Sequence, residues 1–141
     1  MKYLTLMFFF AICGSVLADD TTIEMLDKLG SEYMVFSEKV SYINSGDTIY
    51  WKAIDKGHNV EFIKGAVPEG VQSFRSKMGK DTEYRFTVPG IYAYWCTPHK
   101  SMGMVGFVVV GNDLSNIASI KGVKYIGRSK KVAKELLDEI S

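Results

Sequence analysis

Cys96-Thr-Pro-His99-Lys-Ser-Met-Gly-Met104 gathers a thiol, an imidazole and two thioethers into one short segment. His58, well upstream, is the only other histidine of the chain. Two imidazoles and a thiolate, with a thioether as a weak fourth donor, suit copper cycling between Cu(II) and Cu(I). If His58, Cys96, His99 and Met104 converge, the chain can carry an electron; if they do not, it is a β domain with no visible chemistry.

Each ligand alone has a plainer explanation: a turn histidine, a buried small thiol, a core methionine at the start of a strand. Their conjunction is more specific, because it absorbs both histidines and leaves none over. The local backbone also suits convergence. Pro98 fixes a turn that returns His99 toward Cys96, while Gly103 and Gly57 give the backbone beside Met104 and His58 unusual freedom. Asn59 stands where its backbone N–H can reach the sulfur. Structural zinc is the main rival, but a thioether is a poor fourth ligand for it. A Cys/His hydrolase could be built from Cys96, His99 and Asn59, yet it leaves Met102 and Met104 unused. A multicopper oxidase needs far more histidine than the 2 present.

These residues need a scaffold of strands. Apolar-rich pieces at Thr22–Leu29, Met34–Phe36 and Val40–Ile43 precede a turn at Asn44-Ser-Gly-Asp47. Strands are predicted at Thr48–Ala53, Asn59–Ile63, Thr82–Phe86, Ile91–Trp95 and Val105–Val110, separated by Gly, Pro and Asp. Turn signals at this spacing argue for an all-β sandwich or small barrel. The period then changes. Val132, Leu136 and Ile140, flanked by Ala133 and Leu137, make a helical stripe with Ser129 as a candidate N-cap, and a shorter helix is predicted over Leu114–Ile120. Both would cover one face or edge of the sheet. No repeat, linker or glycine-rich phosphate loop interrupts this order.

With 141 residues, 47% of them hydrophobic, the chain is sized for one domain with an ample core. Residues 1–18 read differently from the rest. Lys2 precedes an apolar run from Tyr3 to Cys13, and Val16-Leu17-Ala18 is a plausible cleavage site, so a secretory signal is predicted with a mature chain over 19–141. Cys13 then leaves with the signal, and Cys96 remains as a single thiol that cannot form an internal disulfide. Losing Lys2 also balances the charges, from 17 basic and 16 acidic side chains to net zero. No overall basic field is left for nucleic acid, and no later segment is long and apolar enough to span a membrane.

Asp55-Lys-Gly-His-Asn-Val-Glu61 and Cys96-Thr-Pro-His-x-x-Met-Gly-Met-Val-Gly106 resemble the corresponding segments of pseudoazurins, type 1 blue copper proteins of bacterial periplasms. The resemblance runs through the mature chain, including the two C-terminal helices. It implies an all-β, cupredoxin-like Greek-key sandwich of about eight strands carrying one type 1 copper ion. His58, Cys96, His99 and Met104 take the ligand positions, and Asn59 matches a brace between the ligand loops. Met34 matches a methionine beside the exposed ligand histidine, and Met102 is a loop residue. A soluble, monomeric periplasmic electron carrier, not an enzyme, is implied. Its partners would be a reductase such as copper nitrite reductase and a cytochrome donor.

Two positions depart from the pseudoazurin pattern. Lys100 follows the ligand histidine where a tyrosine is usual, and Trp95 precedes the cysteine. Trp95 should point away from the metal, as the strand neighbour of an inward Cys96. Electrons would leave through the ring edge of His99, inside an apolar collar of Pro98, Met34 and Met102, with Lys56 and Lys100 steering an acidic partner. A periplasmic copper-binding or delivery protein of the same fold is the other reading of the same residues.

Overall fold

The computed structural model describes residues 19–140. The predicted signal segment 1–18 and its Cys13 lie outside the described residues.

Eight strands and two helices follow one another: β1 Asp20–Leu29, β2 Glu32–Phe36, β3 Val40–Ile43, β4 Thr48–Ala53, β5 Glu61–Phe62, β6 Thr82–Arg85, β7 Gly90–Trp95, β8 Val105–Val110, α1 Ile117–Lys121 and α2 Ser129–Ile140. They form two four-stranded sheets, in the orders β2-β1-β4-β6 and β3-β8-β7-β5. The pairs β1–β4 and β3–β8 are parallel and the rest antiparallel, so the chain crosses between sheets instead of meandering. This is the expected Greek-key sandwich.

Two apolar layers hold it together. Between the sheets lie Ile23, Met25, Phe36, Trp51, Phe86, Tyr92, Tyr94 and Val108, together with Cys96 and Met104. Aromatic rings meet edge to face there, with Tyr94 4.9 Å from Phe36 and 5.3 Å from Trp51. The other layer lies outside the second sheet, where Ile91, Ala93, Trp95, Phe107 and Val109 pack against Ile120, Tyr125, Ala133, Leu137 and Ile140. Every residue of β7 and β8 is therefore buried. Burial on both faces explains why Val105–Val110 is an unbroken apolar run without alternation. Trp95 and Cys96 fall in different layers, as strand alternation requires.

Three expectations need correction. The strand predicted over Asn59–Ile63 shrinks to Glu61–Phe62, because its neighbours bond elsewhere. Val60 N–H donates to the Ser76 hydroxyl at 2.9 Å, and Ser76 N–H donates to the Val60 carbonyl at 2.8 Å. The first helix starts late, at Ile117, because the preceding residues form a turn and a clamp. Asp113 accepts from Ser115 N–H at 2.8 Å, while the Asn116 amide bonds both backbone groups of Ile91. Ser129 does not act as an N-cap: it is the first residue of α2, and its buried hydroxyl donates to the Lys100 carbonyl. Among the described residues no helix is long and apolar enough to cross a membrane.

Candidate metal centre

The segment after β7 returns to β8 within nine residues, and its backbone closes on itself. Cys96 N–H donates to the Met104 carbonyl at 3.0 Å, and the N–H groups of Met102 and Met104 converge on the His99 carbonyl at 2.9 and 3.3 Å. Lys100–Met102 form a single tight helical turn, which Gly103 ends at φ 98. That left-handed value suits a residue without Cβ. Cys96, at the end of an inward-facing register, and Met104, at the mouth of β8, are both fully buried in the inter-sheet layer.

His58 arrives from the other side, on the connection between β4 and β5. Gly57 takes φ 82, and Gly79 N–H holds the His58 carbonyl at 2.8 Å. The His58 ring is completely buried, whereas His99 is half-buried at the end of the sandwich. The two Nδ1 atoms lie 3.1 Å apart, and they stand 3.7 Å (His58) and 3.4 Å (His99) from the Cys96 sulfur. A point equidistant from the three atoms lies about 2.0 Å from each, which is metal–ligand bonding distance (roughly 2.0–2.3 Å for nitrogen and sulfur). The donor set thus fits one small ion, and a soft thiolate with two imidazoles fits copper.

The surrounding groups act on these donors. Burial pushes the Cys96 thiol up, against hydrogen bonds from the backbone N–H groups of Asn59 and His99 that favour the thiolate. Burial lowers His99 and the neighbouring His58 adds to this, while Asp27 opposes it. Asn59 joins the His58 segment to the Cys96 loop: its amide oxygen accepts Thr97 N–H at 2.8 Å, and its NH2 donates to the Thr97 hydroxyl at 2.9 Å. Thr97 in turn donates to Glu61 at 2.7 Å, and the same carboxylate oxygen accepts the Trp95 indole N–H at 3.1 Å.

Of the outer residues, Met34 and Met102 line one small cleft with Tyr33, Gly103 and Arg128. Met34 is half-buried with φ 51, and Met102 and Pro98 are exposed. Lys56 is exposed, whereas the Lys100 ammonium sits 4.9 Å from the centre of the Trp95 ring. Two residues at the site were assigned no role from the sequence. Glu61 is one. The other is Asp27, whose carboxylate stands 2.8 Å from His58 Nε2. Asp27 is exposed where β1 leaves the core, after the alternation of Ile23 and Met25 has been broken by buried Leu26, so no local signal marks it.

Fold and donor geometry together define a cupredoxin, and comparison with known proteins agrees. The sequence pattern of the copper binding proteins of the plastocyanin/azurin family matches residues 23–111, so the chain belongs to that family. Its place there is among the pseudoazurins. It is 42% identical to a pseudoazurin of Paracoccus pantotrophus over 82% of this chain and 77% of that protein. A Methylorubrum extorquens pseudoazurin is 35% identical over 87% and 80%. The crystal structure of pseudoazurin from Methylobacterium extorquens AM1 superposes with a TM-score of 0.84 at 34% identity, covering 87% of this chain and 100% of the other. That coverage extends well beyond residue 111 and so takes in residues of the C-terminal helical region. The protein is a blue copper electron carrier with one type 1 copper, not an enzyme.

Proposed function

We propose that His58 Nδ1, Cys96 Sγ and His99 Nδ1 would hold the copper ion, with the thioether of Met104 as a weak fourth ligand. The carrying observation is the compact triangle of two imidazole nitrogens and one thiolate sulfur at the end of the sandwich. Bound copper supplies one-electron exchange between Cu(II) and Cu(I). The protein's own part is to keep the donors in place whatever the charge. Asn59 locks the two ligand segments together, the N–H groups of Asn59 and His99 stabilise the sulfur's charge, and the buried core excludes water from Cys96 and His58.

Half-buried His99 is the exit for the electron, ringed by Pro98, Met34 and Met102, which dock weakly and release quickly. Lys56 and Lys100 steer an acidic partner toward it. Residues 1–18 direct export and are removed, and the chain from Asp19 works in the periplasm as a monomer. It takes electrons from a cytochrome and gives them to a reductase such as copper nitrite reductase. Lys2 ahead of an apolar run supports the export signal.

Adding Cu(II) to the purified 19–141 chain tests the site. An intense visible thiolate-to-copper band is expected, and Cys96→Ser abolishes it. No band overturns the assignment. The enclosed Cys96 and His58 also speak for retention over delivery: the loaded protein keeps copper against a chelator and cycles reversibly, whereas a delivery protein surrenders it.

A further inference from the structure

We propose that Asp27 is a positioning residue for His58, and that its negative charge makes the site favour the oxidised ion; this rests on the copper reading above. β1 sends Ile23 and Met25 into the core, both with no exposed surface, and two positions further on, where the strand emerges, Asp27 keeps its side chain 57% exposed yet meets the buried His58 ring with one oxygen. Its Oδ1 lies 2.8 Å from His58 Nε2. The His58 ring has no access to water, so this carboxylate is what satisfies its outer nitrogen.

A carboxylate can only accept, so the ring proton sits on Nε2 and Nδ1 turns a lone pair toward Cys96 and His99. The tautomer and the ring plane are thereby set before any metal arrives. The backbone that carries the carboxylate is tied on both sides. Asp27 N–H donates to Asp55 at 2.8 Å, and Asp55 N–H donates to the Met25 carbonyl at 3.2 Å, knitting β1 to the segment that carries His58. Across the ladder, Leu26 pairs with Val35 and Lys28 with Tyr33, and between them Met34 takes φ 51.

An amide oxygen could accept the same hydrogen bond. What the carboxylate adds is charge. A negative group one imidazole away from the ion raises the basicity of the ligand and stabilises the more positive oxidation state. Among the described residues no carboxylate bonds His99, so the two histidines are unequal donors.

Copper-loaded wild type, Asp27→Asn and Asp27→Ala separate the two roles, read by visible spectrum, reduction potential and nitrogen-edited NMR of the metal-free protein. We expect the visible band in all three. Asp27→Asn shifts the Cu(I)-to-Cu(II) affinity ratio toward Cu(I) by about tenfold, ~59 mV upward for a one-electron couple. In the metal-free protein the His58 Nε2–H resonance persists in wild type and Asp27→Asn and is lost by exchange in Asp27→Ala. A band with a potential moved less than twofold in that ratio overturns the charge role. A persistent Nε2–H in Asp27→Ala overturns the positioning role. No band even in wild type overturns the copper reading and the tuning with it.

Discussion

His58 and the Cys96–Met104 loop reach one site from two sides and are held by different means. On the His58 side the contacts are made by carboxylates: Asp27 on the ring, and Asp55 on the Asp27 backbone N–H. On the loop side they are mostly backbone bonds, closed by the start of α2. Arg128 N–H donates to the Ser101 carbonyl at 2.9 Å, and the Ser129 hydroxyl donates to that of Lys100. Gly127 approaches so closely that a Cβ there would stand 2.5 Å from the Ser101 oxygen. One support therefore acts on the electronic character of a ligand, and the other acts on loop shape. Substitutions on the loop side should show first in stability and loop dynamics, and those at Asp27 in potential.

The most severe test of the loop side is at a distance. Leu137 is buried against the second sheet, and Leu137→Ala should cost about 3 kcal/mol of unfolding free energy in denaturant titrations of the metal-free protein. Amide exchange at Ser101 and Gly103 should quicken with it. Unchanged exchange in those residues would mean that α2 covers the sheet without shaping the loop.

Asn59, beside His58, bonds across to the loop with both ends of its amide. Asn59→Ala strands Thr97 N–H and the Thr97 hydroxyl's acceptor role, and should cost about 2 kcal/mol by the same titration. A loss below about 0.5 kcal/mol would reduce the brace to an incidental contact. Ser129→Ala removes a single hydroxyl bond and should cost about 1 kcal/mol, with faster exchange confined to the loop.

How far the sequence carried this comparison depended on range. β4 and β8 end where Thr48–Ala53 and Val105–Val110 end, because alternation and apolar runs are local signals. The Cys96–Met104 motif was legible for the same reason, His58 followed as the chain's only other histidine, turn spacing gave a sandwich or small barrel, and the family resemblance narrowed that to a Greek-key sandwich. Contacts between distant segments were not legible. Asp27 lies 31 positions from His58, and nothing in Met-Leu-Asp-Lys advertises a partner. Ser129 carried a valid local reading as a cap, but it is already the first residue of α2, and its hydroxyl donates to the Lys100 carbonyl 29 positions away. The Asn59–Ile63 strand failed likewise, since the Ser76 hydroxyl took the Val60 N–H.

The smallest expected effect concerns Lys100, which belongs to the loop's outer surface instead of to either support. Its ammonium rests over Trp95, so removing it alters both charge and packing. The cation–π contact is worth about 0.5–1 kcal/mol, which a stability measurement would register without any bearing on docking. Rates separate the two. With an acidic redox partner at low salt, Lys100→Glu should slow electron transfer several-fold and Lys100→Met less. At ~1 M salt, where the screening length falls to about 3 Å, all three proteins should converge. Trp95→Leu, which removes the aromatic platform and leaves the charge, should keep the wild-type rate throughout. A wild-type rate that does not change with salt would remove the steering role from Lys100 and leave it a packing residue on the outer layer.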